Sequence, residues 1–137
     1  MGGPILIIED DLILRPLLRD WLEAAFPDRR VVAAPHGAAA LSRVGATAPR
    51  VILVDLDTLQ TDAMALIRRL KRAAPGAGVA ALSVEDHQAL RDDVRAAGGT
   101  CVGAWDTSGR LLPLLRRWLE ADSAQPVSVG PVARYTI

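Results

Sequence analysis

Four polar residues follow short apolar runs in this chain. Glu9 and Asp10 come after PILII (4–8), Asp55 after VILV (51–54) and Ser83 after VAAL (79–82). An unbroken apolar run of this length suits a strand buried on both faces of a parallel sheet. Burying an unpaired charge inside such a strand is too costly, so each acid belongs where its strand ends and the sheet opens to water. Ligands bind at that edge in open α/β sheets. Three carboxylates brought close together repel, and at least one must hold its proton unless a cation sits among them. Mg²⁺ takes oxygen ligands, few carboxylates and retained waters. Carboxylates plus one hydroxyl therefore point to Mg²⁺-assisted phosphoryl chemistry, with Asp55 as the nucleophile. Asp11 is read differently, as an acid capping the next helix. His36 and His87 stand alone in turns, with no second His or Cys at ligand spacing, and are read as surface or capping residues.

The elements that must position these groups alternate along the chain. After the first strand, Leu14, Leu17, Leu18, Trp21, Leu22 and Ala25 recur at helical spacing and predict one inward face. Pro16 is tolerated only in a first turn, which sets the helix start near Leu12 or Ile13. A second strand is expected over 31–34, a small Ala-rich helix over 37–44, and the central strand over 51–54. A third helix is expected over 62–73, a fourth strand over 79–82, and a fourth helix over 87–97 closed by Gly98 and Gly99. A fifth strand over 100–104 leads to a last helix, capped by Ser108, running to about Ala121 with Pro113 in its first turn. Five strand–helix units with short connections argue a parallel sheet with helices on both faces, an α/β doubly wound fold. Residues 123–137 (SAQPVSVGPVARYTI) carry two prolines and no clear period, so the expected division is a domain over 1–122 and a tail or linker over 123–137.

Composition narrows the function. A chain of 137 residues, half of them apolar, can bury one real core. The formal net charge is zero, so no global basic field draws it to nucleic acid or anionic lipid. The single Cys101 has no internal partner and is expected as a buried thiol in a reducing compartment. The apolar start is five residues long and is followed at once by acids, so no secretory leader is expected. No stretch approaches the roughly 20 apolar residues of a membrane span. The expected location is the cytoplasm.

With ILIIEDD, VILVD, ALS and AAGG in these places, residues 4 to about 121 resemble a response-regulator receiver domain of two-component signalling. The resemblance implies a flavodoxin-like (βα)5 sheet of strand order 2-1-3-4-5, the order for which a chemotaxis receiver serves as a standard example. It implies that Asp55 accepts a phosphoryl group from a histidine kinase or phosphotransfer protein. Glu9 and Asp10 would hold Mg²⁺ with Asp55 and the backbone carbonyl of Asp57. Ser83 would bind a phosphoryl oxygen and couple it to the fourth helix. Receivers signal by protein contact rather than as enzymes, and a homodimer through the fourth and fifth helices is one expected form.

Several positions depart from the family pattern. Trp105 stands where the family carries a lysine, and it offers one N–H donor and no charge. Val102 takes the place of the switch aromatic, and Leu59 and Ala63 replace a proline and a glycine. The acids are kept while the readout parts change, which makes this an atypical receiver. Trp105 is expected to pack over the acid pocket. The alternative is a pseudo-receiver, an interaction module not switched by phosphate. A haloacid-dehalogenase-type phosphatase is the nearest enzyme class, through DLDTL. Its threonine falls one place early at Thr58, and its motif belongs on a first strand, not a third. A flavin binder of flavodoxin type needs an anion-binding loop after strand one, where this chain has EDD.

Overall fold

The computed structural model describes residues 2–58 and 62–124, the last three as helix backbone only. Five strands and five helices alternate: β1 (Ile5–Ile8), α1 (Leu14–Ala25), β2 (Val31–Ala34), α2 (Gly37–Thr47), β3 (Val51–Asp55), α3 (Ala63–Ala73), β4 (Gly78–Ser83), α4 (Gln88–Ala97), β5 (Thr100–Gly103) and α5 (Leu112–Ala124). The strands form one parallel sheet in the order β2-β1-β3-β4-β5, with Ile5 opposite Val31 and Val51, Val51 opposite Gly78, and Ala80 opposite Thr100. This is the doubly wound sheet that the alternation of runs predicts, in the flavodoxin-like order that the receiver resemblance implies.

Side chains alternate along each strand, so the sheet builds two cores. Leu6, Ile8, Ile52, Val54, Val79 and Ala81 face α2, α3 and α4, where Leu66, Ile67, Leu70 and Val94 meet them. Ile5, Ile7, Val51, Leu53, Ala80 and Leu82 face α1 and α5, where Leu22, Leu115 and Leu119 meet them. Cys101 is a buried free thiol on the first of these faces, and burial pushes its pKa up.

The helix starts follow from local side-chain caps. Asp11 Oδ1 accepts the N–H groups of Ile13 (2.8 Å) and Leu14 (2.9 Å), so Asp11 is a cap and α1 begins at Leu14, just past the expected start, with Pro16 in its first turn. Asp62 Oδ1 accepts from Met64 and Ala65 and stands just outside α3. His36 Nδ1 accepts from Ala39 N–H, and His87 Nδ1 from Leu90 N–H, so both histidines cap helices as expected. Gly98 ends α4 at φ +108°, a left-handed conformation that glycine adopts without steric cost, and Gly99 N–H returns to Val94 O.

Two expectations are corrected. Ser108 does not cap the last helix. Residues Thr107–Leu111 instead form one π-helical turn, in which Leu111 N–H reaches back five residues to Asp106 O at 3.3 Å. The helix proper starts at Leu112, with Pro113 in its first turn, and passes the expected end at Ala121 to reach Ala124. The rest of the expected tail, 125–137, and Leu59 lie outside the described residues. The apolar face of α1 is also not all core. Leu22 is buried, whereas Leu14 and Leu17 are 42% and 58% exposed.

Candidate functional site

The register of β1, β3 and β4 assembles the site. Ile8 pairs with Val54, which places Glu9 beside Asp55, the last residue of β3. Asp55 pairs with Leu82, so Ser83 is the next residue along on the neighbouring strand. Glu9, Asp55 and Ser83 are all buried, Glu9 completely.

Glu9 is held from two sides. Thr58 Oγ1 donates to its Oε2 at 2.6 Å and Asp11 N–H donates to the same oxygen at 3.2 Å. Its Oε1 is buried and finds no donor among the described residues. Burial pushes the Glu9 pKa up to about 7. The neighbouring Asp55 adds to this, while the bonds from Thr58 and Asp11 work the other way. Burial, with Asp55 close by, is what favours the protonated form of Glu9.

Asp55 Oδ1 accepts Asp57 N–H at 2.9 Å, which sets the rotation of the carboxylate. The Asp57 side chain crosses to β4. Its Oδ1 accepts the Ser83 hydroxyl at 3.2 Å and its Oδ2 accepts Val84 N–H at 2.9 Å. Ser83 Oγ in turn accepts Glu85 N–H at 3.0 Å. Glu9 with Asp55, and Asp57 with Ser83, are thus brought together. Asp10 is exposed, and its side chain makes no hydrogen bond or ion pair among the described residues. Successive side chains at a strand end point opposite ways, so Glu9 turning inward sends Asp10 out.

Thr58 and the Asp57 carboxylate are the contributors that residue types alone did not single out. Their only signal in the sequence is position, two and three residues past a strand-ending aspartate, in the turn that faces the ends of β1 and β4.

A cleft of about 390 Å³ opens beside Asp55, Asp57 and Thr58, walled by Leu14, Leu17, Leu18 and Trp21 of α1. Trp105 does not line it. The expectation that Trp105 packs over the acid pocket is corrected: it is 68% exposed, and its indole edge lies over Gly103, where an added Cβ would come within 2.8 Å of the ring. The bare backbone of Gly103 provides the shelf, on β5, with β4 lying between it and Asp55.

The donor set fits a small hard cation. A buried carboxylate oxygen without a donor stands beside a second carboxylate, and Mg²⁺ uses one or two carboxylates with retained waters. Among the described residues, no group of three or more His, Cys, Asp or Glu side chains is gathered around one point, because Asp10 faces outward.

Residues 5–102 match the family described as the response regulator receiver domain. The chain belongs to that family. Among solved structures, it is similar to the signal receiver domain of a DNA-binding response regulator (merR) from Colwellia psychrerythraea 34H. That likeness has TM-score 0.78 and 26% identity, over 86% of this chain and 98% of that one. A LuxR family DNA-binding response regulator from Silicibacter pomeroyi gives TM-score 0.72 and 27% identity, over 88% and 93% of the two chains. A response regulator from Thermotoga maritima, at 18% identity, shares the fold with TM-score 0.74, over 88% and 99%. No curated protein matches the sequence. Receiver domains serve two-component signalling, and Glu9, Asp55 and Asp57 stand together at the strand-end edge of this receiver's sheet.

Proposed function

We propose that this chain is an atypical phosphorelay receiver in which Asp55 accepts a phosphoryl group from a histidine kinase or phosphotransfer protein. The observation that carries this is Asp55 itself: a carboxylate at the end of the central strand, its rotation set by Asp57 N–H, next to a buried acid with an unpartnered oxygen. In the transfer an Asp55 oxygen attacks phosphorus. The donor P–N bond breaks as the P–O bond forms, and the electron pair stays on the departing imidazole nitrogen. When bound, Mg²⁺ supplies positive charge that offsets the acids and the phosphoryl oxygens. Glu9, Asp55 and the backbone carbonyl of Asp57 would hold it in this reading, with Asp10 exposed at the edge of the site. Glu9 must release its proton for this, and Thr58 and Asp11 N–H, which favour the ionised form, assist. Ser83 is the donor available to a phosphoryl oxygen.

The surface around the site suits a protein donor. Leu12, Ile13, Leu17, Val84 and Trp105 are all more than half exposed, a rim on which an apolar helix can rest. No helix among the described residues is long and apolar enough to cross a membrane. With zero net charge, this reading includes neither nucleic acid nor membrane as a ligand, and it places the protein in the cytoplasm as a signalling module rather than an enzyme. The receiver in this reading runs to the end of α5 at Ala124, and a homodimer through α4 and α5 is the form in which it would act on itself. The pseudo-receiver is the second reading. It is favoured by Trp105, which brings no cation to the site.

Intact-mass measurement after incubation with Mg²⁺ and acetyl phosphate tests the first reading. One added phosphoryl group, absent in Asp55→Asn, supports it. No addition to the wild type supports the pseudo-receiver.

A further inference from the structure

Both oxygens of the exposed Asp57 side chain are taken by groups of the β4–α4 connection, the Ser83 hydroxyl at 3.2 Å and Val84 N–H at 2.9 Å. A hydroxyl and a backbone N–H converging on the two oxygens of one anion are the donors that any bound anion at this strand end would use. The sequence reading gave Ser83 to a phosphoryl oxygen. In the structure that donor already has an acceptor, and the acceptor is covalently part of the chain, two residues beyond Asp55. The connection is further tied by Glu85 N–H on Ser83 Oγ at 3.0 Å. Residues 83–85 are therefore gathered around a carboxylate of the chain itself.

We propose that the Asp57 carboxylate is a tethered occupant of the anion position at the β4 end, holding Ser83 and Val84 as a phosphoryl group on Asp55 would and competing with it for them. This rests on the phosphoacceptor reading of Asp55 for its competing partner, while the hold on residues 83–85 stands without it. Two consequences follow from the geometry. A phosphoryl group arriving at Asp55 must displace Asp57 before it reaches Ser83, so modification is slowed. The β4–α4 connection is already drawn in before modification, so its further movement is small. Asp57 is a positioning residue in this role, since it acts through Ser83 and Val84.

The test compares wild type, Asp57→Ala, Ser83→Ala and the double variant, each checked for folding by circular dichroism. The first readout is the amide resonances of Val84 and Glu85 in the free protein, without metal or phosphodonor. Asp57→Ala is expected to move both, and unchanged Val84 and Glu85 amides overturn the hold. The second readout is the rate of Asp55 labelling by acetyl phosphate with Mg²⁺. Removing one charge-assisted contact predicts labelling about fivefold faster in Asp57→Ala. That gain should largely vanish when Ser83 is already alanine. An equal gain in both backgrounds means that Asp57 acts only by repelling the anionic donor, and it overturns the competition. No labelling in any variant overturns the phosphoacceptor reading and the competition with it, and the hold is then decided by the amide shifts alone.

Discussion

Thr58 Oγ1 donates to Glu9 Oε2 at 2.6 Å, and this bond joins the turn after β3 to the end of β1 across the sheet edge. It favours the ionised form of an acid that burial and the Asp55 carboxylate otherwise keep protonated. The pKa of Glu9 is therefore a balance that single substitutions can tip.

The first prediction is a pH dependence of stability. The folded-state pKa of Glu9, about 7, lies above its ordinary value of 4.5. Between those values the folded protein holds a proton that the unfolded chain lacks, so stability should fall as pH rises from about 4.5 to 7 and level off beyond. The expected loss is on the order of 3 kcal/mol in metal-free buffer. Glu9→Gln should remove the slope, and Thr58→Val should push it to higher pH. Urea unfolding at a series of pH values with a chelator present measures it. A flat profile in the wild type would refute the assignment of the proton to Glu9.

Much of this architecture is legible in the residues, for reasons that are local. The strands are short apolar runs, and Asp11, His36 and His87 cap helices through bonds to residues two or three places on, whereas Asp62, expected inside α3, is its cap. What escaped is set by the tertiary fold or by side-chain direction. Helical periodicity puts Leu14 and Leu17 on the same stripe as Leu22, but it cannot tell a face covered by the sheet from one that continues past the sheet edge into a cleft. The π-helical turn closes on the Asp106 carbonyl, and the Asp106 carboxylate stands close over Gly109, contacts that no spacing rule encodes. The pairing of Asp57 with Ser83 spans 26 residues and exists only because β3 and β4 are neighbours in register.

Arg29 supplies a stability prediction far from the site. It is buried, and its guanidinium donates to Gly3 O at 2.9 Å and to Leu119 O at 2.8 Å, joining the start of the chain to α5. Arg29→Met keeps much of the volume but leaves those carbonyls without this donor, and it should cost about 2–4 kcal/mol. Arg29→Lys should recover little, because an ammonium cannot fork to two separated carbonyls as a guanidinium does. Thermal denaturation of the three proteins checks the order. A Lys variant as stable as the wild type would contradict it.

A gain is expected at Ala48, which ends α2 at φ 47° and ψ 62°, the left-handed region, with its side chain exposed. A non-glycine residue there costs roughly 1–2 kcal/mol, and glycine avoids the clash of Cβ with the backbone. Greater freedom of the unfolded chain offsets part of this, so Ala48→Gly should stabilise by about 0.5 kcal/mol. Chemical denaturation showing a lower midpoint for Ala48→Gly would sink the idea.

Trp105 carries the last prediction. The resemblance sets it at the family's lysine, and its indole rests on Gly103, mostly exposed and outside the cleft beside Asp55. Trp21, by contrast, lines that cleft. In a protein with Trp21 and Trp118 changed to Phe, Trp105 emission should be of the exposed type, readily quenched by acrylamide, and unmoved by Mg²⁺. Gly103→Ala should shift it, because the new methyl would stand 2.8 Å from the ring and displace it from its shelf. With Trp21 as the sole indole, emission should respond to beryllofluoride with Mg²⁺, since that residue borders the space where the mimic enters. The missing charge is a separate matter. Trp105→Lys places a flexible ammonium at the end of β5, and a cation within reach of a phosphoryl mimic on Asp55 attracts it. This variant should hold beryllofluoride several-fold more tightly than the wild type, roughly 1 kcal/mol, with Mg²⁺ affinity unchanged. If Trp105 emission responds to Mg²⁺ as strongly as that of Trp21, the indole borders the site after all. If Trp105→Lys leaves beryllofluoride binding unaltered, the weakness of this receiver lies elsewhere, and the Asp57 carboxylate on Ser83 is the next cause to remove.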